Sequence, residues 1–203
     1  MSGESRHRPD GTGPGRRRSR PQPEPGERPL GSTNLKRLHR SWRRRTQLDL
    51  GLILDGVQKP FNVGAVYRSA AAYRAATVWL VPPSPGPDDP GVSRTALGCE
   101  RLVTTVRADT GPDAVADARG RGLVTVAIEL TPSARPLFEL DLGPAVCLIL
   151  GHEDRGVHRS TLAAVDEVAY LPQLGKVGSL NVAQAATVAI YETARQQWSG
   201  PGR

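Results

Sequence analysis

Three short stretches of the sequence set chemically useful side chains among glycines and prolines. In residues 55–70, D-G-V-Q-K-P-F-N-V-G-A-V-Y-R-S-A, the amide of Asn62 is followed six residues later by the guanidinium of Arg68. Gly64 lies between them, where another backbone can come close. In residues 148–157, L-I-L-G-H-E-D-R-G-V, His152 and Glu153 stand between Gly151 and Gly156. In residues 171–186, L-P-Q-L-G-K-V-G-S-L-N-V-A-Q-A-A, a glycine loop ends on the hydroxyl of Ser179 and the amide of Asn181. Amides, hydroxyls and a guanidinium orient a substrate. An imidazole moves a proton near neutral pH, which makes His152 an acid–base candidate by residue type alone, although a loop histidine is more often solvated or structural. The third loop adds backbone N–H and C=O groups free to hold a ligand. Each stretch alone also reads as plain structure: a capped helix with a solvated arginine, a surface turn with a carboxylate, a glycine loop before a capped core helix.

The same spacing sets several chemistries aside. No G-x-G-x-x-G follows the first apolar run and no G-x-x-x-x-G-K-[ST] occurs, so the usual dinucleotide and nucleoside triphosphate cradles are missing. There is no H-E-x-x-H and no G-x-S-x-G, and four scattered histidines do not make a metal site. Cys99 and Cys147 are far apart and form no C-x-x-C pair, so neither zinc nor a disulfide framework is indicated, and both read as buried small hydrophobes.

The elements that must position these residues alternate along the chain. Apolar runs at Leu50–Leu54, Thr77–Val81, Arg101–Val106, Leu123–Ile128, Ala145–Leu150 and Glu167–Leu171 read as strands. Helices are expected over Asn62–Arg74, with Asn62 at the N-cap, over Pro112–Arg119, near Ser160–Val165, and from about Ser179, as cap, to Trp198. Residues 82–91, P-P-S-P-G-P-D-D-P-G, read as a loop because prolines at this density forbid regular structure. Strands apolar throughout, alternating with helices, predict an α/β fold with a mostly parallel sheet covered by helices on both faces. In such sheets ligands collect beyond the carboxyl ends of the strands, where all three stretches fall.

Charge divides the chain of 203 residues. Residues 1–45 hold 13 Lys+Arg and 4 Asp+Glu, a net of +9, while residues 46–203 hold 14 and 16, a net of −2. Residues 1–30 contain almost nothing apolar and read as a disordered leader, with no apolar core of a secretory signal. Residues 31–48 read as a basic amphipathic helix from Ser32 to Arg45, with Leu35, Leu38 and Trp42 on one stripe and Lys36, Arg37, Arg40, Arg43, Arg44 and Arg45 mostly off it. Residues 49–203 form the body, long enough for one domain with its own core. No apolar run approaches the ~20 residues that span a bilayer, and a cytoplasmic protein is expected.

In this order the three stretches resemble the motifs of the SpoU/TrmH branch of the SPOUT RNA methyltransferases. Asn62-Val63-Gly64-Ala65-Val66-Tyr67-Arg68 matches N-x-G/S-x-x-x-R. Gly151, Glu153 and Gly156 match G-x-E-x-x-G. Leu171, Pro172, Gly175, Ser179, Leu180, Asn181 and Val182 match I-P-M-x-G-x-x-x-S-L-N-V, with Gln173 in place of the common Met. The resemblance spans about residues 33–198. It implies a C-terminal trefoil knot, which nothing in composition or periodicity shows. It also implies S-adenosyl-L-methionine held mainly by backbone groups near Ala127, Ile128, Gly151, Leu171, Gly175 and Leu180.

The implied reaction moves a methyl group to a ribose 2′-hydroxyl, with Arg68 as the activating residue. Guanidinium groups hold their proton, so Arg68 is better placed as a clamp on the adjacent phosphate than as a free base. Asn62 and Asn181 would orient Arg68 or the ribose, Ser179 would cap its helix and hold the substrate loop, and Glu153 would fix the arginine or the motif loops. A short basic helix before the first strand, with K-P-F-N after it, resembles the tRNA guanosine-2′-O-methyltransferases that act on the D-loop. The six basic residues of that helix are then expected to bind RNA. The resemblance further implies a homodimer, without metal or membrane. An rRNA methyltransferase of the same family, a member that binds RNA without transferring methyl, and a nucleotide-binding oxidoreductase with an unusual first loop stay open as alternatives.

Overall fold

The computed structural model describes residues 28–199, so the leader read over residues 1–30 lies almost wholly outside the described residues. The chain clusters into two units, Met1–His39 and Arg40–Arg203. Helix α1, Ser32–Arg45, carries all six candidate RNA-binding cations. Three of them, Arg43, Arg44 and Arg45, fill its last turn, where the helix dipole favours positive charge. Within the second unit, Trp42 packs against Trp198 with ring centroids 5.1 Å apart, and the Trp198 indole N–H donates to the Thr46 hydroxyl at 2.8 Å.

The body is one seven-stranded sheet. Its strands are β1 (Asp49–Asp55), β2 (Thr77–Val81), β3 (Thr104–Arg107), β4 (Val124–Ile128), β5 (Arg135–Pro136), β6 (Ala145–Gly151) and β7 (Glu167–Tyr170). The spatial order is β3-β2-β1-β6-β4-β7-β5, and every pairing is parallel. The expected sheet is therefore present and parallel throughout. The central strands β1 and β6 are buried along almost their whole length, as a sheet with two covered faces requires.

Side chains alternate across that sheet. Leu50, Leu52, Leu54, Leu148 and Leu150 face a core shared with helices α2 (Pro60–Ala72) and α6 (Val182–Ser199). Ile53, Trp79, Ala127, Cys147 and Ile149 face a second core shared with helix α4 (Gly111–Gly120).

Several expected boundaries move. Helix α2 begins at Pro60, with Lys59 at its N-cap position, so Asn62 is not the cap but the third helical residue, and it is buried. Proline suits the first helical turn, where its missing N–H costs nothing. The same rule opens helix α3, Pro90–Ala96, out of the segment read as a loop: Asp89 accepts from the Gly91 N–H at 2.6 Å and Pro90 follows it. Helix α5 is short, Arg159–Leu162. Helix α6 begins at Val182, and its cap is Asn181, not Ser179. Strand β3 begins at Thr104, because a 3₁₀ turn occupies Cys99–Leu102. Cys147 is buried as expected, and burial pushes its thiol far up from the ordinary range, whereas Cys99 is only half-buried.

Candidate active site

The three motif stretches leave the carboxyl ends of β1, β6 and β7 and meet there. Strands β1 and β6 are neighbours in register, with Asp55 opposite Gly151, so the loops that follow them emerge side by side. Glu153 turns back from the second loop onto the first. Its Oε1 accepts from the Asn62 side-chain amide at 2.7 Å and from the Lys59 N–H at 3.1 Å, and its Oε2 accepts from the Gln58 N–H at 3.1 Å. Asn62 is held from its other end as well: its Oδ1 accepts from the Asn181 side-chain amide at 3.0 Å. Asn181 in turn caps α6, accepting from Ala183 N–H at 2.9 Å and Gln184 N–H at 3.4 Å. Glu153, Asn62 and Asn181 thus form one hydrogen-bonded relay joining residues far apart in sequence. The Asn62 amide has no freedom to flip, because each end meets a partner of fixed polarity.

The relay also fixes charge. Partial burial works against ionisation of Glu153, but the Asn62 amide and the backbone N–H groups around it outweigh burial and hold its carboxyl below the usual range. Glu153 is therefore an anion that anchors loops, and among the described residues its side-chain hydrogen bonds go to Gln58, Lys59 and Asn62 and to no arginine. His152 is occupied differently: its Nδ1 accepts from the Asp154 N–H at 3.0 Å, within a turn closed by paired bonds between His152 and Gly156.

That turn depends on two glycines. A Cβ on Gly151 would run into the backbone of Gly156 and Val157, and Gly156 itself has φ +69°. Glu129, just past β4, accepts from the Val157 N–H at 2.9 Å and ties the β4 loop to the same turn. Asp55 does likewise at the end of β1, accepting from the His158 N–H at 2.9 Å. Sequence reasoning passed over both carboxylates. Each stands directly at a strand's carboxyl end, which is the signal that marks them. Gly64 meets its expectation: it lets the carbonyl of Val92 approach, since a Cβ there would lie 2.6 Å from that oxygen.

The remaining candidates surround the relay without joining it. Arg68 is exposed on α2 and makes no hydrogen bond or ion pair among the described residues. Residues 171–180, with Leu171, Gly175, Ser179 and Leu180 among them, make no hydrogen bond to another described residue, and from Pro172 onward they are exposed. Ala127 is fully buried within β4, while Ile128 ends that strand. No group of three His, Cys, Asp or Glu among the described residues is placed to hold a metal. None of the described helices is long and apolar enough to cross a membrane.

This geometry can be set beside known proteins. The profile of the SpoU rRNA Methylase family matches residues 49–191, which take in β1, the relay and most of α6. The chain belongs to the SpoU methylase family. Among its relatives is the tRNA (guanosine(18)-2′-O)-methyltransferase of Escherichia coli, 33% identical over 156 residues, 75% of this chain and 66% of that protein. The enzyme of the same description from Thermus thermophilus is 32% identical over 154 residues, 76% of this chain and 78% of the relative. A solved structure, the SpoU methyltransferase AviRb from Streptomyces viridochromogenes in complex with the cofactor AdoMet, superposes with a TM-score of 0.69 at 27% identity, covering 75% of this chain and 61% of that one. The SpoU match thus spans somewhat under two thirds of the E. coli protein and of the Streptomyces chain.

Proposed function

We propose that this SpoU-family chain is an S-adenosylmethionine-dependent RNA ribose 2′-O-methyltransferase acting on tRNA, with a D-loop guanosine as its target. The observation that carries the proposal is the Glu153–Asn62–Asn181 relay, which joins the three motif loops into one site, with Arg68 exposed on α2 and without a counter-ion among the described residues. Two relatives described as tRNA guanosine-18 2′-O-methyltransferases favour tRNA over rRNA.

The loops suit the cofactor. Residues 171–180 offer backbone N–H and C=O groups not engaged elsewhere among the described residues, and the tight turn from Gly151 to Gly156 leaves a backbone wall at the end of β6. Gly151, Ile128, Leu171, Gly175 and Leu180 would hold S-adenosylmethionine there, with Ala127 placing the β4 end from inside the sheet. When bound, the cofactor supplies a methyl on a sulfonium, already an excellent leaving group. The difficult partner is the ribose hydroxyl. Arg68 would clamp the neighbouring phosphate, and an oxygen of that phosphate would take the hydroxyl proton as the ribose oxygen bonds to the methyl carbon and the C–S bond breaks. Asn62 and Asn181 keep the α2 and α6 termini in register around it, and Ser179 would hold the substrate loop. In-line placement supplies much of the rate.

The sheet order, with β6 between β1 and β4 and β7 beyond β4, is one that a threaded C-terminal segment would produce, and we carry the trefoil knot as part of the proposal. A cytoplasmic homodimer completes it.

The test is methyl transfer from labelled S-adenosylmethionine to unmodified tRNA and rRNA, read as 2′-O-methylguanosine by nucleoside mass spectrometry. Arg68→Ala is expected to lose activity at least a hundredfold and Arg68→Lys to retain part of it. Normal turnover by Arg68→Ala would remove Arg68 from its role, and a product confined to rRNA would reassign the substrate.

A further inference from the structure

The body's net charge of −2 hides an uneven distribution. Arg107, Arg119, Arg121 and Arg195 are each neutralised by a carboxylate, Asp88, Asp166, Asp117 and Glu192 respectively. Lys59 and Arg155 are exposed and have no such partner among the described residues. Their backbone segments are also brought together. The Lys59 N–H donates to Glu153, and Arg155 lies two residues beyond Glu153 in the closed His152–Gly156 turn. Glu153 itself is committed elsewhere, since its two oxygens accept three hydrogen bonds from Gln58, Lys59 and Asn62. Asp154, the other acid of the turn, makes no ion pair among the described residues.

Between Lys59 and the relay residue Asn62 stands Phe61, 67% exposed on the first turn of α2. An exposed ring flanked by unneutralised cations, on backbone fixed by hydrogen bonds, suits a nucleotide with an unstacked base. Such a ring accepts a base by stacking, and the cations accept the phosphates on either side of it. A duplex offers no free base face to Phe61.

We propose that Lys59, Phe61 and Arg155 form a binding step at the mouth of the site that takes single-stranded RNA, with Phe61 stacking on a base next to the target nucleotide and the two cations holding the flanking phosphates. This rests on the RNA methyltransferase reading above and deepens it: the step is separate from the basic helix α1 and selects an unpaired loop over a duplex.

The experiment uses the full chain and an unmodified tRNA. Binding is measured against salt, together with KM, kcat and S-adenosylmethionine affinity, for wild type, Lys59→Gln, Arg155→Gln, the double variant, Phe61→Leu and Phe61→Trp. Each charge removal is expected to lower the slope of log affinity against log salt by about 0.7. Arg155→Lys should restore it. Phe61→Leu should raise KM for RNA about tenfold with kcat and cofactor affinity unchanged, the size of effect that losing one base stack gives, and Phe61→Trp should bind at least as well as wild type. Unchanged slopes in the double variant would overturn the proposal while leaving the methyltransferase reading intact. So would equal loss of cofactor affinity, or a change in sedimentation of Phe61→Leu, which would make the ring part of a subunit contact. A wild-type protein that neither binds nor methylates RNA would overturn both.

Discussion

Glu153 holds more of the site together than any other side chain. Replacing it by glutamine keeps the shape but puts a donor where three N–H groups point at acceptors. Glu153→Gln should cost about 2 kcal/mol at neutral pH, the range for hydrogen bonds to a charged group. Its pH dependence has a definite sign. The folded carboxyl lies below its ordinary value, so its stabilisation is present at neutral pH and fades as pH falls through and below the usual carboxylate range. Melting temperatures of wild type and Glu153→Gln should therefore converge in acid, and a gap that stays constant with pH would contradict this.

Asn181 permits a sharper separation. Asn181→Asp keeps the oxygen that caps α6 but sets an oxygen against the Oδ1 of Asn62, whereas Asn181→Ala loses the cap as well. Asn181→Ala should be the less stable by about 1 kcal/mol, measurable by urea unfolding, and methyl transfer should fall in both. The sequence made all three relay residues visible by type and spacing. It could not assign their roles, since one amide at a helix start looks like any other. Asn62 was read as a cap and is buried within α2, while Ser179 was read as a cap and the true one is Asn181, two residues later.

At the scale of elements, apolar strands and the parallel sheet were legible because burial on both faces leaves no polar alternation to confuse the pattern. Helix α3 was not. Proline density hid it, although Asp89-Pro90 is a good helix start, with the carboxylate accepting from Gly91 N–H. This short helix matters because it supports the motif-one helix from behind. Gly64 is the point of closest approach, with the Val92 carbonyl and the Thr95 side chain where a Cβ would stand. Gly64→Val should force α2 and α3 apart, costing about 1–3 kcal/mol in thermal unfolding. It should also reduce methyl transfer more than cofactor binding, because Arg68 rides on the displaced helix.

At the scale of the whole molecule, the +9 of residues 1–45 and the unpaired cations of the body are two different electrostatic features. Neutralising Arg43, Arg44 and Arg45 to Gln should weaken tRNA binding and flatten its salt dependence by about two units of slope, while leaving S-adenosylmethionine affinity unchanged in titration calorimetry. A slope equal to wild type would confine RNA recognition to the body. If the proposed step is present, RNA contacts extend from the basic helix to Lys59 and Arg155 of the body.

The relay joins Asn62 to partners 91 and 119 residues away along the chain. Contacts of that span form late, because long loops must close before they are rewarded. No stretch of chain that stops short of Asn181, the cap of α6, contains all three partners. During synthesis the relay therefore cannot close until Asn181 has been made, so the basic helix α1 exists well before the complete site does.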